Sequence, residues 1–118
     1  SDAVRTWAAG VPAAQLYLSA ISVLELEKGV MLLERRTPPQ GSALRAWLGA
    51  MVRAFEGRVL PFTGNTAAIC AALHIPDPRP KRDAMIAASA MEHRMTLVTR
   101  NTSDFAAMGL QLLDPFAD

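Results

Sequence analysis

The chain's 118 residues and 12.7 kDa fit one domain, and 51% hydrophobic against 19% charged residues allow a buried core, which excludes disorder as its main state. Twelve Lys and Arg against eleven Asp and Glu leave a formal charge of +1, which excludes the broad positive field of a protein that wraps duplex DNA and leaves room only for a local basic patch. Mean hydropathy is high at +0.17, yet no apolar run approaches the ~20 residues that span a bilayer, so no membrane role is expected.

In chain order, a short helical piece over 3–9 gives way at Gly10-Val11-Pro12 to an apolar run over 16–21 that fits a strand. Val23, Leu26, Val30 and Leu33 recur at helical spacing, and so do Leu44, Trp47, Leu48, Met51, Val52 and Phe55. Two amphipathic helices are expected, separated by a loop at Thr37-Pro38-Pro39-Gln40-Gly41. Trp47 and Phe55 read as one buried helix face, and the six methionines as core filler. Gly57 ends the second helix, 59–62 fits a strand, 66–73 an Ala-rich helix, and Pro76-Asp77-Pro78-Arg79-Pro80 a loop. A helix over 83–94 then runs into strands at 96–99 and 110–113. Short apolar strands alternating with helices predict an α/β domain with a mostly parallel sheet, because parallel neighbours require crossover connections.

Ligands of such sheets bind at the carboxyl ends of the strands, a rule that selects Ser22 to Glu25, Thr63 to Thr66, Arg82 to Asp83 and Arg100 to Asp104. Three carboxylates fall on that edge: Glu25, Asp83 and Asp104. Carboxylates from separate elements tolerate one another when a hard cation such as Mg²⁺ lies between them, and the ion can activate water and stabilise charge on a phosphodiester. Arg79, Lys81, Arg82 and Arg100 place positive charge for phosphates nearby. Together these suggest metal-dependent phosphodiester cleavage. Each acid also has a structural explanation: Ser22-Val23-Leu24-Glu25 matches a capping box, and Asp83 and Asp104 lie near helix starts, where the macrodipole favours negative charge. His74 and His93 read as partners of helix C-termini, and Cys70 as a small core residue. A lone cysteine excludes an internal disulfide, and with no secretory signal a reducing, cytoplasmic setting is expected. No nucleophile elbow, Walker loop or dinucleotide fingerprint occurs.

Leu18-Ser19-Ala20-Ile21-Ser22-Val23-Leu24-Glu25-Leu26-Glu27-Lys28-Gly29, then Asp83-Ala84-Met85-Ile86-Ala87-Ala88-Ser89-Ala90, then Leu97-Val98-Thr99-Arg100-Asn101-Thr102-Ser103-Asp104-Phe105, together resemble PIN-domain toxins of the VapC/FitB type. The closing Leu113-Asp114-Pro115-Phe116 is also similar to that family's C-terminus. The resemblance implies an α/β/α sandwich and an endoribonuclease dependent on Mg²⁺ or Mn²⁺, forming a homodimer and inhibited by a cognate antitoxin. By that likeness Glu25 matches the acid after the second strand, and Asp83 the acid opening the helix before the fourth. Asn101 stands where the family often has Asp, with Asp104 three residues on to complete the metal shell, and Thr99 matches a hydroxyl residue of the acidic cluster. The family's first strand, ending in an Asp, lies further ahead of Glu25 than the 24 residues available, and Asp2 is a poor substitute. Residues 1–118 are therefore expected to be one PIN-like domain, N-terminally incomplete, whose Ser at position 1 reads as either a processed start or one inside a longer reading frame. The alternative expectation is a PIN-like module that no longer cleaves and binds an antitoxin or RNA, the helices over 23–33 and 44–55 offering a groove for an amphipathic helix.

Overall fold

Ser19 sets the switch from strand to helix. Its hydroxyl accepts a hydrogen bond from the Ser22 backbone N–H at 2.9 Å, and the two hydroxyls also lie 2.9 Å apart. Strand β1 (Leu18–Ser19) therefore passes directly into helix α2 (Ala20–Arg36). The capping box expected at Ser22 and Glu25 is displaced by this earlier cap, so Glu25 falls in the second turn and takes no part in capping. The computed structural model describes residues 2–116; Ser1, on which the expectation of a longer reading frame rests, lies outside them.

Helix α1 (Asp2–Ala9) and a 3-10 turn at Ala13–Gln15 precede β1. The stretch expected to be a Pro-rich loop is helical: Pro38 and Pro39 occupy the first two positions of α3 (Pro38–Ala54), where a missing N–H costs nothing and a fixed φ is already helical. Thr37 alone separates α2 from α3. The two helices form a hairpin that buries Val30 and Leu48 and crosses closely at Gly41, which is also buried. Arg45 clasps it, donating to both Glu34 carboxylate oxygens at 3.1 and 2.8 Å and to Glu27. Gly57, at φ +80°, turns the chain into β2 (Val59–Leu60).

Helix α4 (Gly64–Leu73) opens on a capping box between Thr63 and Thr66, and α5 (Lys81–Glu92) packs against it. Ala84, Ala87, Ala88 and Ser89 of α5 are almost wholly buried, and their small side chains let α5 approach neighbours on several sides. One core cluster joins Cys70 to Ala84 and Ala88, with Phe62 and Ile69 beside it; the other joins Ala87 to Phe105 and Met108. Strand β3 (Leu97–Val98), helix α6 (Thr102–Phe105), a 3-10 turn at Ala106–Met108 and β4 (Leu112–Leu113) complete the order. Among the described residues no helix is long and apolar enough to cross a membrane.

The strands are parallel, as expected, but they form two separate pairs. Leu18 and Ser19 pair with Val59 and Leu60, while Leu97 and Val98 pair with Leu112 and Leu113. Between the pairs runs a groove of about 650 Å³, lined by Leu18 and Ser19 of β1, Leu97 and Val98 of β3, Ser22 of α2, and Ile86, Ser89 and Ala90 of α5. The molecule exposes 7819 Å², against ~6,200 Å² for a folded monomer of this mass. Part of the excess is apolar: Trp47 is 50% and Met31 56% exposed, which corrects the expectation that Trp47 lies on a buried face and that every methionine fills the core.

Candidate active site at the mouth of the groove

Ser22 lines the groove, and Glu25 lies three residues further along α2, one turn on the same helix face. Ile86 lines it from α5, and Asp83 lies three residues before it, one turn towards the helix start. Because α2 leaves the carboxyl end of β1 directly, Glu25 stands beyond that end of the strand. An ion pair fixes the neighbourhood: Arg82 Nε is 3.1 Å from Glu25 Oε1, which draws Glu25 against the first turn of α5, where Asp83 sits. Glu25 and Asp83, 58 positions apart in sequence, thus stand on two helices that the Arg82–Glu25 pair ties together, each one turn from a residue that lines the groove. Both are half-buried.

Asn101 and Asp104 are placed differently. Both are exposed; Asn101 precedes α6 and Asp104 is in its first turn, with no side-chain cap from Asn101. The Thr99 hydroxyl accepts the Asn101 backbone N–H at 3.1 Å, so its observed partner is the turn after β3 and not an acid. Among the described residues no group of three or more His, Cys, Asp or Glu side chains is close enough to hold a metal ion. The donors that are brought near each other, two carboxylates, suit a hard divalent cation in chemistry and fall short of a full shell in number. Glu25 already attracts a cation, the Arg82 guanidinium, which shows that the carboxylate is open to a positive partner.

The basic residues divide. Arg79 is half-buried and tied into its loop, its Nε donating to the Leu73 carbonyl at 3.3 Å and its backbone N–H to His74 Nδ1 at 3.0 Å. His74 thus serves as an acceptor at the end of α4. Lys81, Arg82 and Arg100 are exposed, and Arg100 lies over the Phe116 ring at 4.7 Å. Thr63 to Thr66, expected on the active edge, do structural work at the other end of α5. The Thr66 hydroxyl donates to Glu92 at 2.6 Å, nine residues and so ~14 Å along the helix from Asp83. Sequence reasoning missed both the Thr66–Glu92 bond and the Arg82–Glu25 pair. A signal for the second existed, a cation in the first turn of a helix, where the macrodipole disfavours it.

A family model described as PIN domain matches residues 1–109. The chain belongs to the PIN-domain family. Among its relatives, VapC ribonuclease Y4jK of Sinorhizobium fredii is 35% identical over 97% of this chain and 84% of its own length. Toxin FitB of Neisseria gonorrhoeae is 32% identical over 100% of this chain and 88% of its own. The solved structure of FitAB bound to the IR36 DNA fragment superposes with a TM-score of 0.89 at 31% identity, covering 99% of this chain and 85% of that one. These relatives are of the VapC/FitB type that the order of motifs anticipated, and the PIN architecture is the α/β arrangement expected from the alternating strands and helices.

Proposed function

We propose that the protein is the toxin of a toxin-antitoxin pair, an endoribonuclease that depends on Mg²⁺ or Mn²⁺ and works in the cytoplasm. The observation that carries this reading is the Arg82–Glu25 ion pair, which ties Glu25 to the turn of α5 that carries Asp83, beside a groove flanked by β1 and β3, in a PIN-domain chain similar to a VapC ribonuclease. Glu25 and Asp83 would hold the divalent cation, with Asp104 or Asn101 joining them, and the cation supplies charge neutralisation and a Lewis acid at the phosphodiester. Lys81, Arg82 and Arg100 hold the RNA by its phosphates, while Arg79 shapes the loop that presents them.

The groove supports the expectation of an incomplete domain. Two parallel pairs facing each other across a gap present unpaired edges of the kind that native sheets cover. An additional parallel strand from polypeptide outside these 118 residues would join the pairs into one sheet. It would end beside Glu25 and Asp83, where a further carboxylate would complete the shell. Leu24, Met31, Leu32 and Trp47, each at least half exposed on the α2–α3 hairpin, suit an amphipathic antitoxin helix or a second copy of the chain.

A nuclease assay of the full-length protein on structured RNA, with and without Mg²⁺, tests the reading. Glu25→Ala and Asp83→Ala are each expected to lower cleavage by at least ~100-fold, the scale of losing a group that stabilises charge in the transition state. Cleavage that survives both substitutions refutes the assignment. The second reading, a binding module that no longer cleaves, draws on the absence of a three-acid group among the described residues and on the Arg82 contact to Glu25. Calorimetric titration with Mg²⁺ separates the two, since a pure binding module has no saturable metal site.

A further inference from the structure

Arg82 occupies a position that helix electrostatics disfavour. It is the second residue of α5, and Lys81 is the first, so two cations stand at the positive end of the macrodipole. Sequences that break a local rule of this kind do so where another contact or a function compensates. The compensating contact here is Glu25, whose carboxylate is 28% exposed against 58% for the Arg82 side chain. The cation therefore reaches from an exposed position to the more buried acid. Without it, Glu25 would face the neighbourhood of Asp83 with no positive partner, and two nearby carboxylates raise each other's energy.

We propose that Arg82 is an internal counter-ion that competes with a divalent cation for Glu25, so that binding of the metal favours release of the guanidinium. The inference rests on the reading of Glu25 as a metal ligand. A guanidinium 3.1 Å from Oε1 and a divalent ion on the same carboxylate repel each other, so each weakens the other's hold on Glu25. The released side chain, long and largely exposed, remains anchored next to Asp83 at the groove mouth. There it is positioned to take a phosphate oxygen of RNA in a planar, two-pronged contact that Lys81 cannot make. Entry of the metal thus frees a phosphate-binding arginine, and loss of the metal restores the Arg82–Glu25 pair. Arg82 on this account holds Glu25 while the metal is absent and binds RNA phosphate once it is released.

The test is calorimetric titration of the full-length protein with MgCl₂, comparing wild type, Arg82→Gln, Arg82→Lys and Lys81→Gln. Arg82→Gln is expected to bind Mg²⁺ about tenfold more tightly, from loss of the competing ion pair and of the repulsion it imposes. Lys81→Gln, which removes the same formal charge without the contact, is expected to change affinity by no more than about twofold, and Arg82→Lys to stay near wild type. A second readout on the wild type is the Arg82 Nε–H NMR resonance, expected to shift as MgCl₂ is added and to be insensitive to it in Glu25→Gln. Equal affinity in wild type and Arg82→Gln, an equal gain in Lys81→Gln, or an Arg82 resonance that stays still while Mg²⁺ saturates the protein overturns the competition and leaves the nuclease reading intact. No saturable Mg²⁺ binding in wild type or Arg82→Gln overturns the metal-ligand reading of Glu25 and the competition with it.

Discussion

Gly41→Ala should damage the α2–α3 hairpin although alanine is the better helix former. A Cβ built on Gly41 meets Glu34 Cα at 2.4 Å and Glu34 N at 2.6 Å. Ordinary carbon contacts are ~3.5 to 4.0 Å, so the helices must separate by ~1 Å at the crossing. The obstacle is backbone, so no rotamer change relieves it. Arg45 lies one turn further along α3, and its bonds to Glu34 at 2.8 and 3.1 Å would lengthen with the separation. Overpacking of this kind costs ~1 to 3 kcal/mol and alanine's helix propensity returns up to ~1 kcal/mol. The net expectation is a loss of ~1 kcal/mol, or roughly 3–5 °C in Tm for a domain of this size. Gly29→Ala on α2 is the matched control: its Cβ meets nothing within 4 Å, so it should gain ~0.5 to 1 kcal/mol from propensity alone. Urea and thermal unfolding followed by far-UV circular dichroism measure both. A Gly41→Ala midpoint equal to or above wild type would refute the close crossing, and equal effects of the two substitutions would show that propensity alone is at work.

Two further outcomes test the supports of the site. The Arg45 hydrogen bond holds the Glu34 carboxyl below its ordinary range, so in the folded state it gives up its proton more readily than in the unfolded chain. A lowered folded-state value contributes stability above the unfolded value near 4.5, which is lost as the pH falls through the folded one. The Tm difference between wild type and Arg45→Met should therefore be largest near neutrality and shrink below about pH 4, and a difference that is constant from pH 7 to 3 contradicts the pairing. Thr66→Val removes a wholly buried hydroxyl that donates to Glu92 and accepts the Thr63 backbone N–H in the capping box, and should cost ~1 to 3 kcal/mol in urea unfolding, while Thr66→Ser should keep most of both bonds. Equal stability of the Val and Ser variants would show that the methyl, and not the hydroxyl, matters at this position.

Local patterns determined much of this chain. The 3.6-residue recurrence of apolar side chains places α2 and α3, and Gly57 marks the turn into β2, because helix and turn propensities act within a few neighbouring residues. The same locality misplaced what depends on a partner. Apolar runs over 16–21 and 96–99 contain only two ladder residues each, since a strand extends only as far as its neighbour pairs with it. The α2 cap fell on Ser19 and not Ser22 because the chain leaves the sheet one turn earlier than the motif alone suggests. Trp47 lies outward because α2 covers the opposite side of α3, which buries Leu48 one residue away. At the site, the sequence by itself marked Glu25 and Asp83 as acids of the right kind beside a basic patch. Only the tertiary structure decided that Arg82 of the turn carrying Asp83 pairs with Glu25, and that Thr66 answers Glu92 at the far end of α5. Each of these contacts spans 26 residues or more, and its energy depends on how helices cross and pack, which no local pattern of residues specifies.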